Sequence, residues 1–190
     1  ILPKARHLLK KYINDKNINV VHFSGYFPSN IFPYKWRPAS IHPNCPVIGK
    51  ETKLKDAVFG IEGNLELAKN IVCMLEGKYF VIPPESKKYY HLAAVLISNF
   101  SLALIYLSEK LYEFGDISKS KFSEVAESLL RNTIENIKKK GAINSITGPV
   151  ARGDKNIIEE ERKVFCEVFP EYGDLYDQFV QIILSMKDEK

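Results

Sequence analysis

The residues best suited to chemistry stand in one run, SKKYYHLAAVLISNFSLALIYLSEKLYEFG, at positions 86–115. Lys88, His91 and Asn99 fall three and eight residues apart, which puts them on one side of a helix. An imidazole can give or take a proton near neutral pH, and a nearby ammonium favours its neutral form. An asparagine can hold a substrate oxygen or orient the acid. A His and an Asn set in AAVLISNF must find partners, because an unpaired buried polar group costs about 1–3 kcal/mol. They either brace a packing seam or face a ligand, and composition leaves both open.

Other candidates lie outside that run. Ser24-Gly25 ends NVVHF in the kind of small-residue turn that sits beside ligands at the carboxyl edge of a parallel sheet. His42 and Pro43 end the short segment ASIHP, where the imidazole either borders a ligand or stands in water. In the loop SITGPVARGD, Thr147 and Arg152 can bind an anion, the guanidinium by a two-pronged contact. The same loop reads equally well as a connection in which Asp154 caps the next helix and Arg152 pairs with a carboxylate. His22 reads as a satisfied strand residue, and His7 carries no signal.

These side chains need elements to position them. The run at 86–115 has no internal Gly or Pro and is apolar almost all round through its middle. That pattern predicts a helix buried on most sides, about 45 Å long. Ser86, after Pro83-Pro84, is its expected N-cap and Gly115 its stop. Ser98, Asn99 and Ser101 interrupt the apolar stretch, so no membrane span is expected. Before it, the pattern predicts a helix at 2–13, a polar turn at 14–17, strands at 19–23, 39–42, 58–61 and 78–82, and a helix at 65–76 capped by Asn64 and closed by Gly77. After it come only helices, one capped by Ser118 or Ser120 and ended by Gly141, then 155–169 and 175–187. The domain boundary is expected at Pro83-Pro84, giving an α/β part at 1–84 and an all-α part at 85–190.

With 190 residues, 45% hydrophobic and 26% charged, the composition is that of a globular protein. The net charge of +4 does not argue for a polyanion partner. Lys138, Lys139 and Lys140 complement a helix C-terminus and lack the interleaved aromatics of a nucleic-acid surface. Three widely spaced cysteines without a CxxC pattern predict reduced thiols and a cytoplasmic setting. No metal-ligand spacing, GxSxG, Walker loop or GxGxxG appears. The opening Ile1-Leu2-Pro3 reads as entry to a helix within a longer protein.

The succession VVHFSG, ASIHPN, VFGIEGN, KKYYHLAAVLISNF and SITGPVARGD resembles the Rossmann-like NADP-dependent oxidoreductases that end in a helical domain of unknown function, distant relatives of pyrroline-5-carboxylate reductase and 6-phosphogluconate dehydrogenase. The resemblance spans nearly the whole chain. It implies the later part of a Rossmann-like domain, with the first βαβ unit and its phosphate loop upstream, followed by a helical domain of the dimerising type. It implies NADP and a small-molecule substrate in the cleft between the two parts, and a homodimer. Ser24, Gly25, His42 and Pro43 would border the cofactor. Lys88, His91 and Asn99 would serve catalysis, though their spacing differs from the Lys-x-x-x-Asn of hydroxyacid relatives. Thr147, Gly148 and Arg152 would hold substrate. The expected reaction is hydride transfer to or from a carbonyl, imine or hydroxy compound. The alternative is an NADP-binding or sensor module without turnover, its polar helix residues bracing a dimer.

Overall fold

The computed structural model describes residues 2–13 and 18–189. The polar turn expected at 14–17 lies outside them. Contacts divide the chain into two units, residues 1–102 and 103–190. The division falls inside the long helix, beyond the boundary read at Pro83-Pro84. The first turns of that helix go with the sheet because buried Lys87 and half-buried Tyr90 bond to it.

In the first unit, α1 (Leu2–Tyr12) precedes a four-stranded sheet ordered β1-β2-β3-β4. The strands are β1 (Val21–His22), β2 (Ala39–Pro43), β3 (Val58–Gly63) and β4 (Lys78–Val81). β1 and β2 run parallel, β2 and β3 antiparallel, and β3 and β4 parallel, so the sheet is mixed. The carboxyl ends of β1 and β2 share one edge. β3 buries four consecutive residues, Phe59 to Glu62, which demands cover on both faces. α2 (Leu65–Met74) supplies part of it. Ala68 and Val72 close over Ala39, Ile41, Phe59 and Ile61 to form the core. Asn64 caps α2 as expected, its Oδ1 accepting from the Leu67 N–H. The helix ends on Glu76 at φ 53°, one residue before Gly77. Gly77 serves packing instead, since a Cβ there would lie 2.5 Å from the Phe59 ring.

After a turn at Pro84–Ser86 the chain enters α3 (Lys87–Val95), widens into one π turn at Leu96–Phe100, and continues as α4 (Ser101–Phe114). Ser86 makes no capping hydrogen bond. The expectation of burial on most sides is corrected. Leu92 is 55%, Ile97 76% and Leu102 65% exposed. Lys87, Tyr90 and His91 meet the sheet and Leu107 is buried, while Leu92, Leu96, Ile97, Phe100 and Leu102 are exposed. By length and composition alone, the run Pro84–Phe114 would suffice to cross a membrane, and none of its most apolar window is buried.

The second unit holds the rest of α4 with α5 (Lys119–Lys140), α6 (Gly148–Arg152), α7 (Lys155–Val168) and α8 (Gly173–Asp188). Tyr112 meets Phe122 edge-on at 5.2 Å, and Arg162 donates to Asp177 at 2.8 Å to tie α7 to α8. Gly141 and Gly153, at φ 77° and 76°, end α5 and α6 where a side chain would be strained. Neither Ser118 nor Asp154 caps with its side chain; Asp154 instead accepts from Arg152.

Candidate active site

The site grows from the carboxyl edge shared by β1 and β2. Leaving β1, the chain turns at Ser24, whose Oγ accepts from the N–H groups of Tyr26 and Phe27. The Ser24 carbonyl accepts from Lys87 Nζ at 2.9 Å, and Lys87 also donates to Ser40 Oγ at 2.6 Å. Lys87 is wholly buried, with Glu62 Oε1 4.0 Å from its ammonium. Glu62 in turn accepts from the N–H and Oγ of Ser29. This cluster fixes the Ser24 turn beside the end of β2. Burial pushes the Lys87 pKa down, and Glu62 opposes that shift.

His42 lies on β2 opposite Gly60 of β3. A Cβ on Gly60 would stand 2.8 Å from the Tyr90 hydroxyl, so the missing side chain admits Tyr90 over the sheet. Tyr90 Oη sits 2.6 Å from His42 Nδ1 and donates to Asn44 Oδ1 at 2.8 Å. Asn44 Nδ2 donates to the Val58 carbonyl, which orients the amide so that its oxygen faces Tyr90. The Tyr90 proton is therefore committed to Asn44, and its oxygen must accept from His42. The relay assigns His42 as the Nδ1–H tautomer with a bare lone pair on Nε2. Burial, the Lys87 charge and His91 lower the His42 pKa to about 4, so the ring is neutral at pH 7. Burial raises the Tyr90 pKa, against the hydrogen bond to Asn44.

His91 meets His42 nearly edge-on, ring centres 6.1 Å apart. Both rings converge on Gly25. A Cβ there would lie 2.7 Å from His91 Nδ1 and 2.8 Å from His42 Nε2. His91 Nδ1 is buried and has no hydrogen-bond partner among the described residues. The two histidines form part of the wall of a cleft of about 500 Å³ that also touches Pro43, Cys45 and Asn99. Its remaining wall is mainly apolar, including Val47, Ile48, Ala94 and Val95, and among the described residues no Lys, Arg, Asp or Glu lines it. Ile97, Ser98 and Asn99 of the π turn all border this cavity.

Three comparisons locate the chain among known proteins. Residues 57–183 match the family described as domain of unknown function DUF2520. The chain belongs to the DUF2520 family. The crystal structure of protein TM1727 from Thermotoga maritima is 39% identical, superimposes with a TM-score of 0.77, and is matched over 96% of this chain and 74% of its own. The putative NADP oxidoreductase BF3122 from Bacteroides fragilis is 22% identical, with a TM-score of 0.73 over 96% of this chain and 72% of its own. No curated protein matches. The DUF2520 chain thus has the expected class, a Rossmann-like α/β part followed by a helical part.

Of the residues singled out in the sequence, His42, Pro43, His91 and Asn99 border the one cleft. Gly25 lies against both imidazoles, and Ser24 is held in the turn before it. Lys88 is not in the cleft wall; it is exposed, with Nζ 6.0 Å from the centre of the Tyr26 ring. Thr147, Gly148 and Arg152 belong to the second unit, where Arg152 pairs with Asp154 at 2.9 Å. Sequence reasoning missed Tyr90, Asn44, Gly60 and Lys87. Lys87, Tyr90 and His91 recur at three and four residues, and that helical spacing was the available signal.

Proposed function

We propose that this DUF2520 chain is part of an NADP-dependent oxidoreductase, and that the cleft beside His42 and His91 receives the reacting groups. The observation that carries the reading is the relay from Asn44 through Tyr90 to His42. It leaves one hydrogen-bond-accepting nitrogen of fixed tautomer beside a cavity that no charged side chain lines among the described residues. The name of the Bacteroides relative agrees with this reading.

The residues fit one end of such a cofactor. A neutral, largely apolar wall with unpartnered ring nitrogens suits a flat nicotinamide and its carboxamide. Among the described residues no cation lines the cleft, so the pyrophosphate would be held elsewhere. His42 and Pro43 would border the ring, with the absent side chain of Gly25 leaving room for both imidazoles. When bound, the nicotinamide accepts or returns a hydride. His42 Nε2 would take the hydroxyl proton of a substrate as hydride is lost from the carbon that bears that hydroxyl, or return it in reverse. Asn99 orients the oxygen. Lys88 and the Arg152 loop have no part in this scheme.

We also propose a homodimer in which a second copy covers the exposed residues Leu92, Leu96 and Phe100. They lie off the cleft wall, so that contact leaves the site open.

The test follows nicotinamide absorbance with the full-length protein over a panel of alcohols, ketones and imines. Turnover should appear, and His42→Gln should lower it about 10²–10⁴-fold. Undiminished turnover by that variant removes His42 from the chemistry. NADP binding without turnover across the panel favours the non-catalytic module.

A further inference from the structure

The chemistry of the cleft wall narrows what it can hold. An ionised carboxylate entering it would meet no lysine or arginine among the described residues, and a desolvated charge without a partner is costly. Lys87, the cation whose charge reaches His42, spends its ammonium on Ser24 and Ser40. Pro43, Pro46, Val47, Ile48, Ala94 and Val95 give the wall an apolar character. The relay through Tyr90 leaves His42 Nε2 able only to accept a hydrogen bond. A ligand that offers only a carbonyl gains nothing from it, whereas a hydroxyl does.

We infer that the cleft takes a neutral alcohol with a compact apolar body, bound by donation of its hydroxyl hydrogen to His42 Nε2. This rests on the oxidoreductase reading for the step that follows binding, not for binding itself. Keto acids and hydroxy acids are thereby disfavoured relative to uncharged alcohols. With an oxidised nicotinamide bound beside it, His42 Nε2 would receive the O–H proton while the cofactor would supply the acceptor for the C–H hydride, leaving a neutral carbonyl compound. A cleft of about 500 Å³ is ample for a cyclic or branched alcohol.

The test uses full-length protein with nitrogen-labelled histidine and three probes of equal body: cyclohexanol, cyclohexanone and cyclohexanecarboxylate. Long-range proton–nitrogen spectra at neutral pH should show His42 protonated on Nδ1 and bare on Nε2. Cyclohexanol should shift Nε2 saturably, and the carboxylate and the ketone should bind at least about tenfold more weakly. Tyr90→Phe, with the other histidine signals unmoved, should mix the tautomers and reduce the cyclohexanol shift. A proton on Nε2 in the free protein, or carboxylate binding as tight as the alcohol's, overturns the inference. NADPH titration of the same sample separates the two proposals. Cyclohexanol binding without NADPH binding sinks the oxidoreductase reading alone, and the reverse sinks this inference alone.

Discussion

Lys87 and Glu62 face each other across 4.0 Å with both side chains sealed from water. The ammonium has two further acceptors and the carboxylate two donors from Ser29, so neither charge is stranded. The pair joins the first turn of α3 to β3 and holds the Ser24 turn next to the two imidazoles. Removing one partner strands the other, a loss of about 3–5 kcal/mol. Lys87→Met should therefore lower the unfolding free energy by that order in urea titration. Adding Glu62→Gln should restore part of the loss. A Lys87→Met protein as stable as the parent would show that the pair does not hold the helix to the sheet.

Acid should weaken the fold through two histidines. Burial, followed by the Lys87 charge, lowers the His22 pKa to about 4, as burial, Lys87 and His91 do for His42. An unfolded chain takes up protons on these rings near pH 6.5, which the folded chain refuses until about pH 4. Stability is thus complete above the unfolded value and falls as pH drops through that window. Urea midpoints measured between pH 7 and pH 4 should decline, and His42→Gln should make the decline shallower. A flat profile in the parent contradicts the neutral, buried state of both rings.

Much of this was legible beforehand, for identifiable reasons. VFGIEGN and its helix read correctly because a buried strand followed by an Asn cap is a local signal. His42, Pro43, His91 and Asn99 were singled out as polar or turn residues in apolar or strand-end settings. Tyr90 and Asn44 were not, because their importance lies in a relay between residues 46 apart in sequence. The π turn was invisible for a similar reason, since LISNF carries no Gly or Pro to mark a break in the helix. The long run was misjudged as buried because apolarity all round a helix does not say whose surface covers it.

Gly25 should tolerate no side chain. Alanine there would drive a methyl to within 2.8 Å of both imidazoles. Gly25→Ala should cost about 1–3 kcal/mol from overpacking and also change the His42 and His91 ring signals. The urea midpoint and histidine spectra together check this. Unchanged ring signals would mean that the two histidines are not held against this turn.

The exposed wall of the long helix offers a separate check. Leu96→Glu combined with Phe100→Glu should shift a dimer to monomer in sedimentation velocity while leaving the cleft intact, since neither residue lines it. A parent that sediments as a monomer at every concentration, or partitions into vesicles, would rule out a second copy as the cover.

The most direct test of the account is a titration of the full-length protein with NADP, read at the ring resonances of His42 and His91. Saturable shifts at both rings, with contacts from nicotinamide protons and none from adenine protons, are the predicted result. NADP that binds while leaving both rings undisturbed, or that fails to bind at all, would contradict the assignment of this cleft to the reacting end of the cofactor.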